Sequence, residues 1–244
     1  MASTELELQP LFPLALATVQ LRLDPLDLAV LIQEVLALRG DSRGNPSSGC
    51  AWTGDLNGIW QLHLLEAFRG ISAEVQRQAW IYLEQLGFET SRVALHLQRS
   101  WPVVSDAGQV IGRHHHPNAH LSAVLFLTGD GRGREGFLRL FSPRQVNELV
   151  SGLAVGHGGP IEAGSEAALR WNAAWVDVAP LAGLLVLFPA GTDHAVTANQ
   201  NDENLRLSLA FDLALTAPRA SADNPTPAEY LAPHPAQWTE CPAR

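Results

Sequence analysis

The sequence predicts a mainly β protein with N-terminal helices, its strands assembled as an antiparallel sandwich or jelly roll. Apolar residues recur at largely helical spacing from the start to about Gly87. From Ser91 the period switches to two, with Val93, Leu95 and Leu97 alternating with His96 and Gln98, the pattern of a strand with one buried face. Short apolar runs then follow one another, most of them separated by Gly-, Asp- and Asn-rich segments such as 129–136 and 199–204, as antiparallel strands joined by turns require.

The first helix begins at Asp24-Pro25, an N-cap followed by a first-turn proline, and carries Leu28, Leu31, Ile32, Val35 and Leu36 on one face. Arg39-Gly40 ends it with a basic last turn and a terminal glycine. Ser72 is read as the cap of a second helix running through Val75, Ala79, Tyr82 and Leu86 to Gly87, and residues 41–58, rich in Gly, Ser and Asn, as a long loop. Asp106-Ala107-Gly108 marks a turn before a strand over 109–116. Further strands are expected over 121–127, 137–141, 175–178, 184–188, 194–198 and 205–213. Residues 1–90 therefore read as a helical support region of the same domain. Residues 91–215 form the β core, with an insertion at 142–174 placed to act as a rim or lid. Residues 216–244 make a Pro-rich tail, with Tyr230 or Trp238 as candidates to pin it.

Composition narrows the chemistry. All sixteen cationic side chains are arginine and none is lysine. Schiff-base catalysis and a lysine-bearing phosphate loop are both excluded. A net charge of −9 opposes binding to nucleic acid or an anionic membrane. The longest apolar run, 178–191, is broken by Pro180 and Pro189 and is too short to span a bilayer. The start has neither the basic flank nor the apolar stretch of a signal peptide, so a cytoplasmic protein is expected. Cys50 and Cys241 suggest neither a disulfide framework nor a metal site.

Nine histidines are present, and His114, His115, His116 and His120 cluster together. On a strand, His114 and His116 share a face while His115 points away; a helical pairing of His116 with His120 fails at Pro117-Asn118. A His run alone is only compositional evidence. It gains weight from His194 far downstream, and from Arg206 and Ser208, which share one face of the following strand. That face can be the one opposite His194 across a hairpin pairing. Two histidines at period two, a distal histidine and an Arg–Ser pair describe a metal site with an anion clamp beside it. Arg144 and Trp101 are read as a solvated charge and a core residue. His63, His96, His157 and His234 carry no assigned role.

The order of these blocks resembles the iron(II)- and 2-oxoglutarate-dependent oxygenases, in particular a family with an HxH-P…LSG block. The resemblance rests on Ser100-Trp101, His114-His115-His116-Pro117, Leu121-Ser122, Gly136 through Phe141-Ser142-Pro143-Arg144, Leu185-Val186-Leu187-Phe188-Pro189, His194-Ala195-Val196 and Arg206-Leu207-Ser208. It covers roughly residues 99–213. It implies a double-stranded β-helix (jelly roll, cupin-like) with iron(II) near one mouth, 2-oxoglutarate as co-substrate, dioxygen as oxidant, and succinate and CO2 as products. The implied ligands are His114 and His194, with His116 where the wider superfamily's HxD motif has a carboxylate. Three imidazoles then hold the metal, or else His116 lies behind it and two protein ligands remain. Asp193, next to His194 on the strand, points the opposite way and is not expected to substitute.

Arg206 is the implied partner of the C5 carboxylate of 2-oxoglutarate, with Ser208 adding a hydrogen bond. The tyrosines of the family's LSG-VYYL block are absent here, where the chain reads Leu121-Ser122-Ala123-Val124-Leu125-Phe126-Leu127. The implied activity is hydroxylation of a C–H bond in an amino acid, peptide or small metabolite. Two other readings stay open: a three-histidine cupin-type dioxygenase or isomerase that uses no keto acid, and a catalytically inactive jelly-roll module that binds metal or ligand. Substrate identity and oligomeric state are not encoded in any motif.

Overall fold

The computed structural model describes residues 14–40, 47–143, 173–220 and 231–242. The elements run β1 (Ala17–Gln20), α1 (Pro25–Gly40), β2 (Trp52–Thr53), α2 (Glu66–Gln85), β3 (Ala94–Ser105), β4 (Ile111–His114), β5 (Leu121–Phe126), β6 (Leu138–Phe141), β7 (Trp175–Val178), β8 (Leu184–Pro189), β9 (His194–Val196) and β10 (Arg206–Thr216). Two antiparallel sheets face each other as a double-stranded β-helix. The larger has the order β1-β8-β5-β10-β3-β2 and the smaller β4-β9-β6-β7. Most of the 142–174 insertion, including Arg144 and the glycines of 156–159, lies outside the described residues, as does Tyr230.

Strand alternation sorts the side chains into layers. Leu207, Leu209, Phe211 and Leu213 of β10 pack with Leu121 and Leu125 of β5, with Leu185 and Leu187 of β8, and with Leu31, Val35, Phe68, Val75 and Leu83 of the helices. The alternate residues face the smaller sheet, where Phe126, Val186 and Phe188 meet Leu138, Leu140 and Val178. Both helices therefore cover the outer face of the larger sheet, and the space between the sheets is left for a site.

Helix α1 is bounded as its sequence indicates, and the Asp24 carboxylate accepts the Leu26 N–H at 2.8 Å, a side-chain cap. Helix α2 differs. It starts at Glu66 behind Leu65, which offers no side-chain cap, and Ser72 sits inside the helix, buried at 2% exposure. Ser72 lies on the helix face that also buries Phe68, Val75 and Ala79, so tertiary packing rather than capping accounts for it. Leu86 terminates the helix, and Gly87 follows at φ +86°. Two strands lie in the stretch expected to be helix and loop. β1 is an edge strand paired with β8, and β2 pairs with β3 and buries Trp52.

Trp238, the other residue expected to pin the tail, is 60% exposed. Its indole N–H reaches the nearby Pro233 carbonyl, at 2.7 Å. Within the tail the Ala217 N–H bonds the Ala232 carbonyl at 2.8 Å, and the tail meets the body where the His96 and His234 rings meet edge on. No helix among the described residues is long and apolar enough to cross a membrane.

The turn after β5 locks against the turn before β8. Gly129 has φ +119°, and a Cβ there would stand 2.3 Å from the Pro180 carbonyl oxygen. That same oxygen accepts the Gly131 N–H at 2.8 Å. Both the conformation and the approach require glycine. Gly129→Ala is expected to lower unfolding stability by about 1–3 kcal/mol, read from guanidinium chloride unfolding. An unchanged midpoint would contradict so close an approach.

Candidate metal centre and anion pocket

His114 ends β4 and lies directly opposite His194, the first residue of β9. Their rings stand 4.3 Å apart, centroid to centroid. His116 lies two residues beyond the end of β4 rather than within a strand. Its backbone N–H is tied to the Ala190 carbonyl at 2.9 Å, which turns its ring back toward the other two, 5.2 Å from His114 and 5.0 Å from His194. One ligand atom from each of the three lies within 4.8 Å of the others.

The outward nitrogens determine which atoms are offered. His114 Nδ1 faces the Gly112 carbonyl at 2.8 Å, and His194 Nδ1 faces the Thr192 carbonyl at 2.9 Å. A carbonyl only accepts, so both Nδ1 atoms must carry the proton and both Nε2 atoms keep a free lone pair. His116 Nδ1 is 2.5 Å from Asp212 Oδ1 and 3.0 Å from Ser122 Oγ, which likewise commits its Nδ1 and leaves Nε2 for a metal. Burial depresses the His194 pKa to about 3, despite the opposing Thr192 hydrogen bond. Burial also lowers that of His114. At neutral pH these two rings are uncharged and can take a cation without first losing a proton. Three converging imidazoles suit iron, zinc, copper or nickel.

Arg206 and Ser208 open into the same cavity as the three histidines, together with apolar Trp101, Val124, Phe188 and Ala210. The expected hairpin pairing of His194 with the Arg206 strand is not formed. β9 pairs with β4 and β6 in one sheet, while β10 pairs with β3 and β5 in the other. Arg206 therefore faces the histidines across the gap between the sheets. Arg206 is 2% exposed, and its Nε and Nη1 have no hydrogen-bond partner among the described residues. Burial lowers its pKa to about 10, so it remains a cation at neutral pH. A buried, charged, unsatisfied fork is costly unless an anion meets it. The cavity thus brings three imidazoles with free Nε2 lone pairs together with a buried guanidinium whose donors are unmet among the described residues, an arrangement chemically able to take a cation at one end and an anion at the other.

The remaining candidates fall elsewhere. His115 points outward to Asp193 at 3.1 Å, and Asp193 also pairs with Arg113 at 2.7 Å, away from the histidine cluster. His63 is tied to buried Ser100 at 2.7 Å and His96 to Thr216 at 2.8 Å, which are structural contacts. Trp101 packs with Ala51, Val103 and Ala210 and also borders the cavity, its ring 5.6 Å from His116. Sequence reasoning missed Asp212. Its signal was a lone carboxylate in an apolar strand, at even spacing from Arg206 and Ser208. Ser122 appeared only within a resemblance block, without its role beside His116.

Residues 99–212 match a family model described as "Putative 2OG-Fe(II) oxygenase". No curated protein sequence matches the chain. Among solved structures, the fold is similar to that of SnoN, a non-haem α-ketoglutarate-dependent epimerase from nogalamycin biosynthesis. The identity is 18% over 82% of this chain and 78% of that one, with a TM-score of 0.57. It is also similar to a Pseudomonas putida prolyl-4-hydroxylase, at 20% identity over 82% of this chain and 92% of that one, TM-score 0.51. HygX from Streptomyces hygroscopicus, solved with nickel and 2-oxoglutarate bound, is 12% identical over 82% and 83% of the two chains, TM-score 0.51. At these identities the likeness is one of fold.

The His194 environment makes metal-free stability pH-dependent. The folded pKa, about 3, lies below the ordinary value of 6.5, so the unfolded chain binds the proton first. This contribution is complete above about pH 6.5 and is lost as pH falls toward 3. Metal-free His194→Gln is expected to lose less stability than wild type between pH 7.5 and 5, measured by denaturant unfolding. Superimposable pH profiles would contradict the assigned burial.

Proposed function

We infer that this chain, whose residues 99–212 match the 2OG-Fe(II) oxygenase family model, is an iron(II)- and 2-oxoglutarate-dependent dioxygenase that hydroxylates a C–H bond. The observation that carries this reading is the buried Arg206 fork, unpaired at Nε and Nη1 among the described residues, in one cavity with three histidine nitrogens left free to bind metal. A histidine cluster by itself would suit many metal sites, and a buried arginine by itself many anion sites. Together they match a ligand that is anionic at one end and chelates a metal at the other.

His114, His116 and His194 would hold iron through Nε2, their Nδ1 protons being committed to Gly112, Asp212 and Thr192. Arg206 would take the distal carboxylate of 2-oxoglutarate in a planar fork, and Ser208, two residues along the same face, would add a hydrogen bond. Bound iron with 2-oxoglutarate and dioxygen supplies an oxidant able to take hydrogen from a C–H bond, the keto acid leaving as succinate and CO2. Trp101, Val124 and Phe188 line the cavity with apolar surface and keep bulk water from it. An amino acid, a peptide or a small metabolite is the substrate class proposed. SnoN is an epimerase and the Pseudomonas putida protein a prolyl-4-hydroxylase, so this fold carries different outcomes and substrate identification must include product analysis.

With iron(II), 2-oxoglutarate and oxygen, the purified protein is expected to form succinate. His194→Ala should retain no iron. Arg206→Gln should raise the 2-oxoglutarate requirement by about 100-fold, the equivalent of about 3 kcal/mol for a lost charge-assisted contact. Metal and keto-acid binding without succinate across a broad substrate panel would favour a binding module. Turnover indifferent to 2-oxoglutarate and to Arg206 would favour keto-acid-independent chemistry.

A further inference from the structure

We propose that Asp212 is a positioning residue for the metal centre, its carboxylate set behind His116 to orient that ring and to lend the site negative charge through it. The inference rests on the reading that His114, His116 and His194 hold the metal.

The three histidines are not backed alike. Neutral backbone carbonyls accept from His114 and His194, whereas a carboxylate accepts from His116, with Oδ1 2.5 Å from Nδ1. Asp212 is 2% exposed, so its charge is costly unless a positive partner stands close. Arg99 is the nearest guanidinium, yet its Nη1 remains 3.9 Å from Asp212 Oδ2, while its Nη2 binds Asp55 at 3.0 Å. The Ser122 hydroxyl contacts the same carboxylate oxygen at 3.2 Å. The shortest contact Asp212 makes is to the ring whose far nitrogen faces the metal position. Bound metal makes that ring electron-poor, and the carboxylate then has the positive neighbour its burial calls for.

Strand geometry accounts for the placement. Arg206, Ser208, Ala210 and Asp212 fall at period two on β10, so one face of one strand carries the anion clamp at its start and the carboxylate near its end. Asp212 is registered between Arg99 of β3 and Ser122 of β5, and the β3 pairing shifts immediately after it, between Asp212 and Leu213. The consequence is that a site built from three imidazoles keeps a carboxylate one side chain further out. Asp212 touches neither metal nor substrate. It acts through His116.

Calorimetric titration of the metal-free protein with Co(II) tests this in wild type, Asp212→Asn, His116→Ala and the double variant, with near-UV circular dichroism checking the fold. Asp212→Asn preserves shape and a hydrogen-bond acceptor but removes the charge. It is expected to weaken Co(II) binding about 10–100-fold, as loss of a carboxylate behind a histidine ligand does. In the His116→Ala background, Asp212→Asn should change affinity by less than about twofold, because the pathway is already cut. If Asp212→Asn binds Co(II) like wild type while His116→Ala weakens it, the proposal fails and the three-histidine reading stands. A loss of equal size in both backgrounds would also overturn it, by assigning Asp212 a role in the fold alone. Unchanged Co(II) affinity in His116→Ala would instead remove the underlying reading. Asp212→Ser, smaller and neutral, takes the place of the asparagine variant if that one does not fold.

Discussion

The alternation of β10, hydrogen-bonded to β3 along one edge and β5 along the other, governs which side chains can meet at the site. Leu207, Leu209, Phe211 and Leu213 are committed to the layer beneath the helices. Arg206, Ser208 and Ala210 are thereby directed into the cavity between the sheets, and Asp212 toward His116. A slip of one residue would exchange the two sets, burying leucines against the histidines and a guanidinium and a carboxylate among the helices. The apolar core and the polar site are thus two faces of one constraint, and the core holds the site in register.

The electrostatics follow from that placement. One buried cation lies at the start of the strand and one buried anion near its end. Each is expensive in a low-dielectric interior. Asp212 is met by His116 and Ser122, with Arg99 at 3.9 Å, whereas Arg206 Nε and Nη1 have no partner among the described residues. At one end of the strand the protein's own side chains meet the charge, and at the other the Arg206 donors face the cavity. His114 and His194 stand uncharged beside it because burial disfavours their protonated forms.

Much of the fold was legible in the sequence because its signals are local. Period-two runs located β5, β6, β7, β8 and β10 to within a few residues, and Asp24-Pro25 with Gly40 bounded α1. The failures share a cause. β1 is a four-residue edge strand that exists only against β8. β2 is shorter still, and α2 begins without a side-chain cap, so Ser72 offered the stronger local signal. At the site, His114, His116, His194, Arg206 and Ser208 were all readable by type and spacing, and the structure brings them to one cavity. Asp212 was not readable, since a carboxylate in an apolar strand does not announce which ring it will meet.

Residue type and local spacing, helical in the first part of the chain and two-residue after it, determined the inventory: two helices, a run of antiparallel strands, a histidine cluster and an arginine with a serine on its own face. These are properties of a few consecutive residues, set by backbone geometry and the burial of apolar side chains. The tertiary structure alone decided how they meet. His194 faces Arg206 across the two sheets and not along a hairpin. The Ala190 carbonyl turns His116 inward, and Asp212 arrives behind it from a strand 96 positions further along the chain. Such meetings depend on sheet order and register, which arise from contacts between residues distant in sequence.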